Sequence, residues 1–228
     1  MAGIEIYNAS HDALEESRLR MALWTIMVPQ DPFYFSLLDR PYDPLDRWDK
    51  LIAQFGRLTG TGGADAHEYR AMGLKFAPYE VMFRFVRNHV LVPSRQLSPE
   101  HIYEALRAGH TYVSFELLAE ARGFTFNAQE KDKTVAIMGD EVAFRPNLSL
   151  VTSLPAVGQM TLMKDGQPVD SKIGNNWTIK LEAPGIYRLE VTRHNKPWIY
   201  SNPIYVRFQE KAEETQAPSQ TQTAMLNP

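Results

Sequence analysis

The sequence predicts an α/β chain with a β-rich second half. Two observations carry this. Through the first half, short β-branched or aromatic runs alternate with segments of helical period, which argues for βα units and a parallel sheet or barrel. From about Phe124 onward, short strands recur with turn signals between them, which argues for a β-sandwich. The predicted boundaries are 1–118 for the α/β part, 119–208 for the sandwich-like part and 209–228 for a disordered tail of Glu, Lys, Gln, Thr, Ser and Ala.

The elements follow in order. Ile4–Tyr7 is short, apolar and β-branched, and reads as a strand. Asp12 with Glu15 resembles a capping box, and Leu19, Ala22, Leu23, Ile26 and Met27 form an amphipathic helical stripe. Pro29, Pro32, Pro41 and Pro44 break the next, aromatic-rich stretch into a loop. Asp43-Pro44 starts a helix whose inner face is Leu45, Trp48, Ile52 and Phe55, with Gly56 as its stop. Arg57 to His67 reads as a strand running into a loop. Pro78 to Arg84 fits either a short helix or a strand, and Val86 to Val92 reads as a strand. Ser98-Pro99-Glu100 opens a helix with Ile102, Ala105 and Leu106 inside, ended by Gly109, and Thr111 to Phe115 is a strand.

In the second half, Leu148–Val151, Met160–Met163, Trp177–Leu181, Tyr187–Val191 and Ile204–Phe208 read as strands. The fourth alternates strictly, with Tyr187, Leu189 and Val191 on one face and Arg188, Glu190 and Thr192 on the other. Lys164-Asp165-Gly166, Pro184-Gly185 and Ser201-Asn202-Pro203 supply turns. Pro184-Gly185-Ile186-Tyr187 further resembles a tyrosine corner, in which the ring is buried and the hydroxyl bonds nearby backbone.

Composition narrows the functional classes. The chain has 228 residues, 24 Lys plus Arg against 27 Asp plus Glu, and a net charge of -3. That balance gives no electrostatic argument for nucleic acid or an anionic membrane. With no Cys, thiolate metal sites, disulfides and Cys nucleophiles are excluded. The longest apolar run, Met21 to Val28, is too short to span a bilayer. The N-terminus lacks the charged region and cleavage site of a signal peptide. A soluble protein is expected, cytoplasmic or periplasmic.

The sharpest local feature is Gly60-Thr-Gly-Gly-Ala-Asp65-Ala-His67. In an extended segment Asp65 and His67 point to one side, offering a carboxylate and an imidazole to a divalent cation. The small residues before them permit close approach. Spacing alone leaves a second reading open, an ordinary salt bridge on a surface loop.

These residues resemble the last metal-binding motif of the polymerase and histidinol phosphatase (PHP) superfamily. Their surroundings resemble its branch of CehA/McbA-like metallohydrolases. The matching pieces, in order, are Ile4-Glu-Ile-Tyr-Asn, Trp48-Asp-Lys-Leu-Ile with Gly56-Arg-Leu-Thr-Gly-Thr-Gly-Gly-Ala-Asp-Ala-His, Ala105-Leu-Arg-Ala-Gly-His-Thr-Tyr-Val-Ser, Met138-Gly-Asp-Glu-Val, and Pro197-Trp-Ile-Tyr-Ser-Asn-Pro-Ile-Tyr-Val. The resemblance implies a distorted, TIM-like β/α barrel with two or three divalent metals (Zn, Mn or Fe) at one mouth. It implies metal-dependent hydrolysis of phosphoester, carboxylic ester or carbamate bonds in a small-molecule substrate. Asp65 and His67 are the metal ligands it carries over, and it names no further catalytic or substrate-binding residue. The family's earlier motifs (His-x-His, Thr-Asp-His-like, a Glu and a further His) have no counterpart here. The expectation is therefore a truncated form resembling the C-terminal part of such a protein and lacking most metal ligands. The alternative is a non-catalytic binding or structural fragment of PHP ancestry. Either form is expected to self-associate or to pair with an upstream segment, through the Ile4–Tyr7 edge and the uncovered faces of the helices Leu19–Met27 and Leu45–Phe55.

Other residues have plainer readings. Glu5 reads as a polar strand residue, His11 as a neighbour of a helix cap, and His89 as a hydrogen-bonded strand histidine. His110 reads as a partner for the last carbonyls of a helix. Arg84 and Arg87 either meet an anionic substrate or are solvated. Phe33-Tyr34-Phe35 either lines an apolar entrance or packs over a helix. Ser114 and Ser201 show no readable His-Asp partnership.

Overall fold

The structure, a computed structural model, describes residues 3–9, 30–71, 74–93, 97–117 and 119–208. His11, the Asp12–Glu15 box, the helix expected at Leu19–Met27 and the tail 209–228 lie outside the described residues.

The elements are β1 (Gly3–Asn8), α1 (Gln30–Leu37), α2 (Tyr42–Phe55), β2 (Thr59–Gly63), β3 (Tyr69–Ala71), β4 (Leu74–Phe76), α3 (Tyr79–Phe85), β5 (Arg87–Val90), α4 (Pro99–Ala108) and β6 (Thr111–Ser114), then β7 (Thr125–Glu130), β8 (Lys133–Ile137), β9 (Glu141–Ala143), β10 (Leu148–Lys164), β11 (Gln167–Lys180), β12 (Gly185–Arg193), β13 (Lys196–Ser201) and β14 (Ile204–Arg207). The fold is mixed α/β and mostly strand. No helix among the described residues is long and apolar enough to cross a membrane.

The first half departs from a continuous parallel sheet. β1 and β2 form a separate parallel pair, with Gly3 opposite Thr59 and Asn8 opposite Gly63. β5 and β6 instead join a ten-stranded, almost wholly antiparallel sheet in the order β5-β6-β13-β12-β10-β7-β8, with β11 on β10, β14 on β12 and β9 parallel to β14. Strand–helix alternation fixes which segments are strands but not the direction in which distant ones pair.

The stretch Gln30–Leu37, read as a loop because of its prolines, is helical, since Pro32 falls in its first turn where no N–H is needed. Pro78 to Arg84 resolves as helix α3. The expected strands Leu148–Val151 and Met160–Met163 are one strand, β10. Its pairing with β11 slips between Ser153 and Gly158, and there its other neighbour changes from β7 to β12. Pro155 thus sits at an interruption in the ladder rather than in a loop, and the exchange of partners curls the sheet. Tyr187 is buried, and its hydroxyl donates to the Ala183 carbonyl at 2.8 Å, as expected for a tyrosine corner.

Two cores lie on the two faces of the large sheet. One gathers Phe126, Leu150, Met160, Leu162, Leu189, Val191 and Trp198. The other gathers Ile6, Tyr7, Trp48, Ile52, Phe85, Val113 and Tyr200. α2 covers the second, so its face is not left bare as expected: Leu45, Trp48 and Ile52 are buried and only Phe55 is exposed. The expected polar face of β12 is likewise inside. Arg188 donates to both oxygens of Asp49 on α2 (3.0 and 2.7 Å) and to Glu190, and Arg40 donates twice to Glu190 at 2.8 Å. A charged stripe on a strand was compatible with solvent. Here a second layer carrying the opposite charges covers it.

Candidate functional site

β2 is Thr-Gly-Thr-Gly-Gly, a poor strand sequence by propensity. Its glycines are explained by what lies on them. A Cβ on Gly60 would meet the Trp48 ring at 2.7 Å, one on Gly62 would meet Val86 and Val113 at 2.6 and 2.7 Å, and one on Gly63 would overlap the Glu5 carboxylate. β2 is held from both edges. β1 pairs with one. On the other, the Asn202 amide accepts from Gly60 N–H at 2.8 Å and donates to Gly60 C=O at 3.0 Å, and Asn88 repeats the pattern on Gly62 at 2.8 and 2.7 Å.

The parallel pairing places the C-terminal ends of β1 and β2 together, so Glu5 and Asn8 (Asn8 Nδ2 to Glu5 Oε2, 2.9 Å) share one end with the segment Ala64–Glu68. There Asp65 Oδ1 and His67 Nε2 meet at 2.9 Å. Their adjacency does not come from strand alternation, because β2 ends at Gly63 and Asp65 turns with φ +43°. Both are open to solvent, with Asp65 40% and His67 61% exposed. A carboxylate oxygen and an imidazole nitrogen suit Zn, Mn or Fe. No third His, Asp, Glu or Cys among the described residues completes a metal-holding group.

The remaining candidates divide. Glu5 lies against Gly63 at the site end. His89 Nε2 bonds Glu116 at 2.6 Å and its ring stacks on Tyr112 at 4.5 Å. Glu116 also accepts from Arg87 (2.6 Å), Ser114 Oγ (3.0 Å) and the Ala121 N–H (3.1 Å). Burial opposes ionisation of Glu116, but the bonds from His89, Ala121 and Ser114 outweigh it and hold its pKa down at about 2. Ser114 and His89 therefore share a carboxylate, an association the sequence did not show. The hydroxyl bonds Glu116 rather than the imidazole, so this is not the wiring of an activated serine. Ser201 Oγ accepts from Leu189 N–H.

The His110 backbone N–H donates to the Ala105 carbonyl in the last turn of α4 at 2.9 Å, as expected, while its imidazole pairs with the Asp140 carboxylate at 2.7 Å, and Asp140 also accepts the Ile137 N–H. With His101 and Glu104, His110 lines a groove of about 490 Å3 along α4. Arg84 donates to its own helix, and Arg87 serves Glu116. Phe33 and Tyr34 are core residues, and the Tyr34 hydroxyl accepts the Ala77 N–H, so they do not line an entrance. Glu116, Asp140 and Asn202 escaped sequence reading because each sits in or beside a turn and finds its partner far along the chain.

No family model matches the chain, and no curated protein matches it.

Proposed function

We propose that this chain contributes Asp65 and His67 to the divalent-metal centre of a PHP-type hydrolase acting on phosphoester, carboxylic ester or carbamate bonds of a small molecule. The observation that carries the reading is the 2.9 Å contact of Asp65 with His67 just past the C-terminal end of β2 in a parallel pair. In β/α barrels, functional side chains gather at that end of the strands. The β1–α1–α2–β2 order supports a partial PHP-like barrel, with the antiparallel strands after Phe124 as its sandwich-like appendage. A Zn, Mn or Fe ion held there supplies an activated water and polarises the scissile bond. Asp65 orients the His67 imidazole, and the β2 glycines let Trp48, Val86, Val113 and Glu5 pack directly onto the strand that leads to the pair. A hydrolytic metal centre takes about three protein donors, so in this reading further donors come from another segment.

The test is metal analysis after desalting, with hydrolysis of an aryl phosphate and an aryl carbamate in added Zn or Mn. The reading predicts little retained metal and negligible turnover by the chain alone, with any metal-dependent turnover lost in both Asp65→Ala and His67→Ala. Metal-dependent hydrolysis that persists in both variants overturns it. The alternative, a non-catalytic fragment of the same ancestry, is favoured by the solvent exposure of the pair and predicts no metal-dependent difference among the three proteins.

A further inference from the structure

β11 is long and lies on β10, and among the described residues no other strand pairs with it. Gln167 to Ile173 are exposed without a break, including Val169 at 51% and Ile173 at 73%. Such an edge presents N–H and C=O groups that accept another strand; the Ser171 N–H is held by the Asp170 carboxylate at 2.7 Å, a local bond that strand pairing would exchange. The regular part is short. Asp170 to Gly174 stay in register with Leu162 to Gly158, while the register shifts past Asp170, leaving Val169 without a β10 partner, and again beyond Gly174. Pro168, with no N–H to donate, closes one end.

We propose that this edge binds a second copy of the chain by antiparallel β11–β11 pairing about a two-fold axis at Ser171. The register argues for this occupant. With Ser171 opposite itself, Asp170 faces Lys172 of the second copy, and Lys172 faces its Asp170. The exposed Val169 falls opposite the exposed Ile173 on both sides of the axis. A slip of one residue places Asp170 opposite Ile173 or Ser171 and leaves both charges without a counter-charge. A slip of two places Lys172 opposite Lys172 or Asp170 opposite Asp170. One register therefore satisfies charge and apolar matching together, and cross-strand pairs of this kind set both stability and alignment. Lys172 in mid-edge guards against strands in general. It admits a strand carrying an acid at the matching position, as this chain does. This inference does not rest on the metal site.

The test is sedimentation velocity of the full chain over a range of concentrations, with circular dichroism to confirm folding. The wild type is expected to shift toward a dimer as concentration rises. Lys172→Asp and Asp170→Lys, each creating like-charge pairs, are expected to weaken association by about tenfold or more. The double swap Asp170→Lys with Lys172→Asp restores opposite charges and is expected to recover it. A wild type that stays monomeric throughout, or an association unchanged by the single replacements, overturns the proposal. So does a double swap no better than the singles.

Discussion

Asn202 stands where the backbone of a paired strand would stand against Gly60. Its side-chain oxygen takes the Gly60 N–H at 2.8 Å, and its nitrogen donates to the Gly60 carbonyl at 3.0 Å and to Thr111 C=O at 2.8 Å. Asn202 is buried, and it joins the parallel β1–β2 pair to the large sheet. Asn202→Ala is expected to lower unfolding stability by about 3 kcal/mol, since it strands several buried backbone groups. Asn202→Asp should cost at least as much near neutral pH, because a carboxylate then faces two carbonyls. Urea unfolding measures both. Asn88→Ala, at the more exposed of the two contacts, should cost about 1 kcal/mol.

Glu116 gives stability a pH dependence of known sign. Its folded pKa, about 2, lies below the ordinary carboxyl value of 4.5. The contribution is therefore complete above that ordinary value and disappears as pH falls toward 2. Glu116→Gln should cost about 2–3 kcal/mol near neutral pH, and the gap from wild type should narrow in acid. Unfolding midpoints compared near neutrality and near pH 3 test this. An equal gap at both contradicts it.

The buried Arg188 is satisfied by Asp49 and Glu190 together. Removing one partner leaves an uncompensated charge under α2. Asp49→Ala should cost about 3–5 kcal/mol, read as a loss of denaturation midpoint. Replacing Arg188 by Met together with Asp49→Ala should cost less than the sum of the two changes.

For Tyr187, the bond from its hydroxyl to Ala183 predicts that Tyr187→Phe costs about 1 kcal/mol without changing the fold. An unchanged unfolding midpoint would show that the ring alone matters.

Local chemistry was legible in the sequence. Ser98 caps α4, with its Oγ accepting from His101 N–H, and Gly109 ends that helix at φ +80°. Leu45, Trp48 and Ile52 face inward as their spacing requires. The corner at Tyr187 was also visible, and Asp65 and His67 do meet, but through a turn rather than the strand alternation from which their meeting was expected. Pairing partners were not. Nothing near Thr111–Ser114 states that it will lie antiparallel to Lys196–Ser201, because that choice is made by contacts far apart in sequence. The same distance hid Arg188 from Asp49 and Asn202 from Gly60. In the candidate site the residue types could be read, but the turn at Asp65 that brings them together, and their openness to solvent, could not.

The most direct test of the metal assignment follows the imidazole resonances of the six histidines by NMR while Zn is titrated into the full chain. The account predicts that His67 responds first and that Asp65→Asn abolishes its response. His89 and His110, engaged by Glu116 and Asp140, should stay unchanged over the same range. A His67 signal that does not move while other histidines do, or one that moves identically in Asp65→Asn, contradicts the assignment.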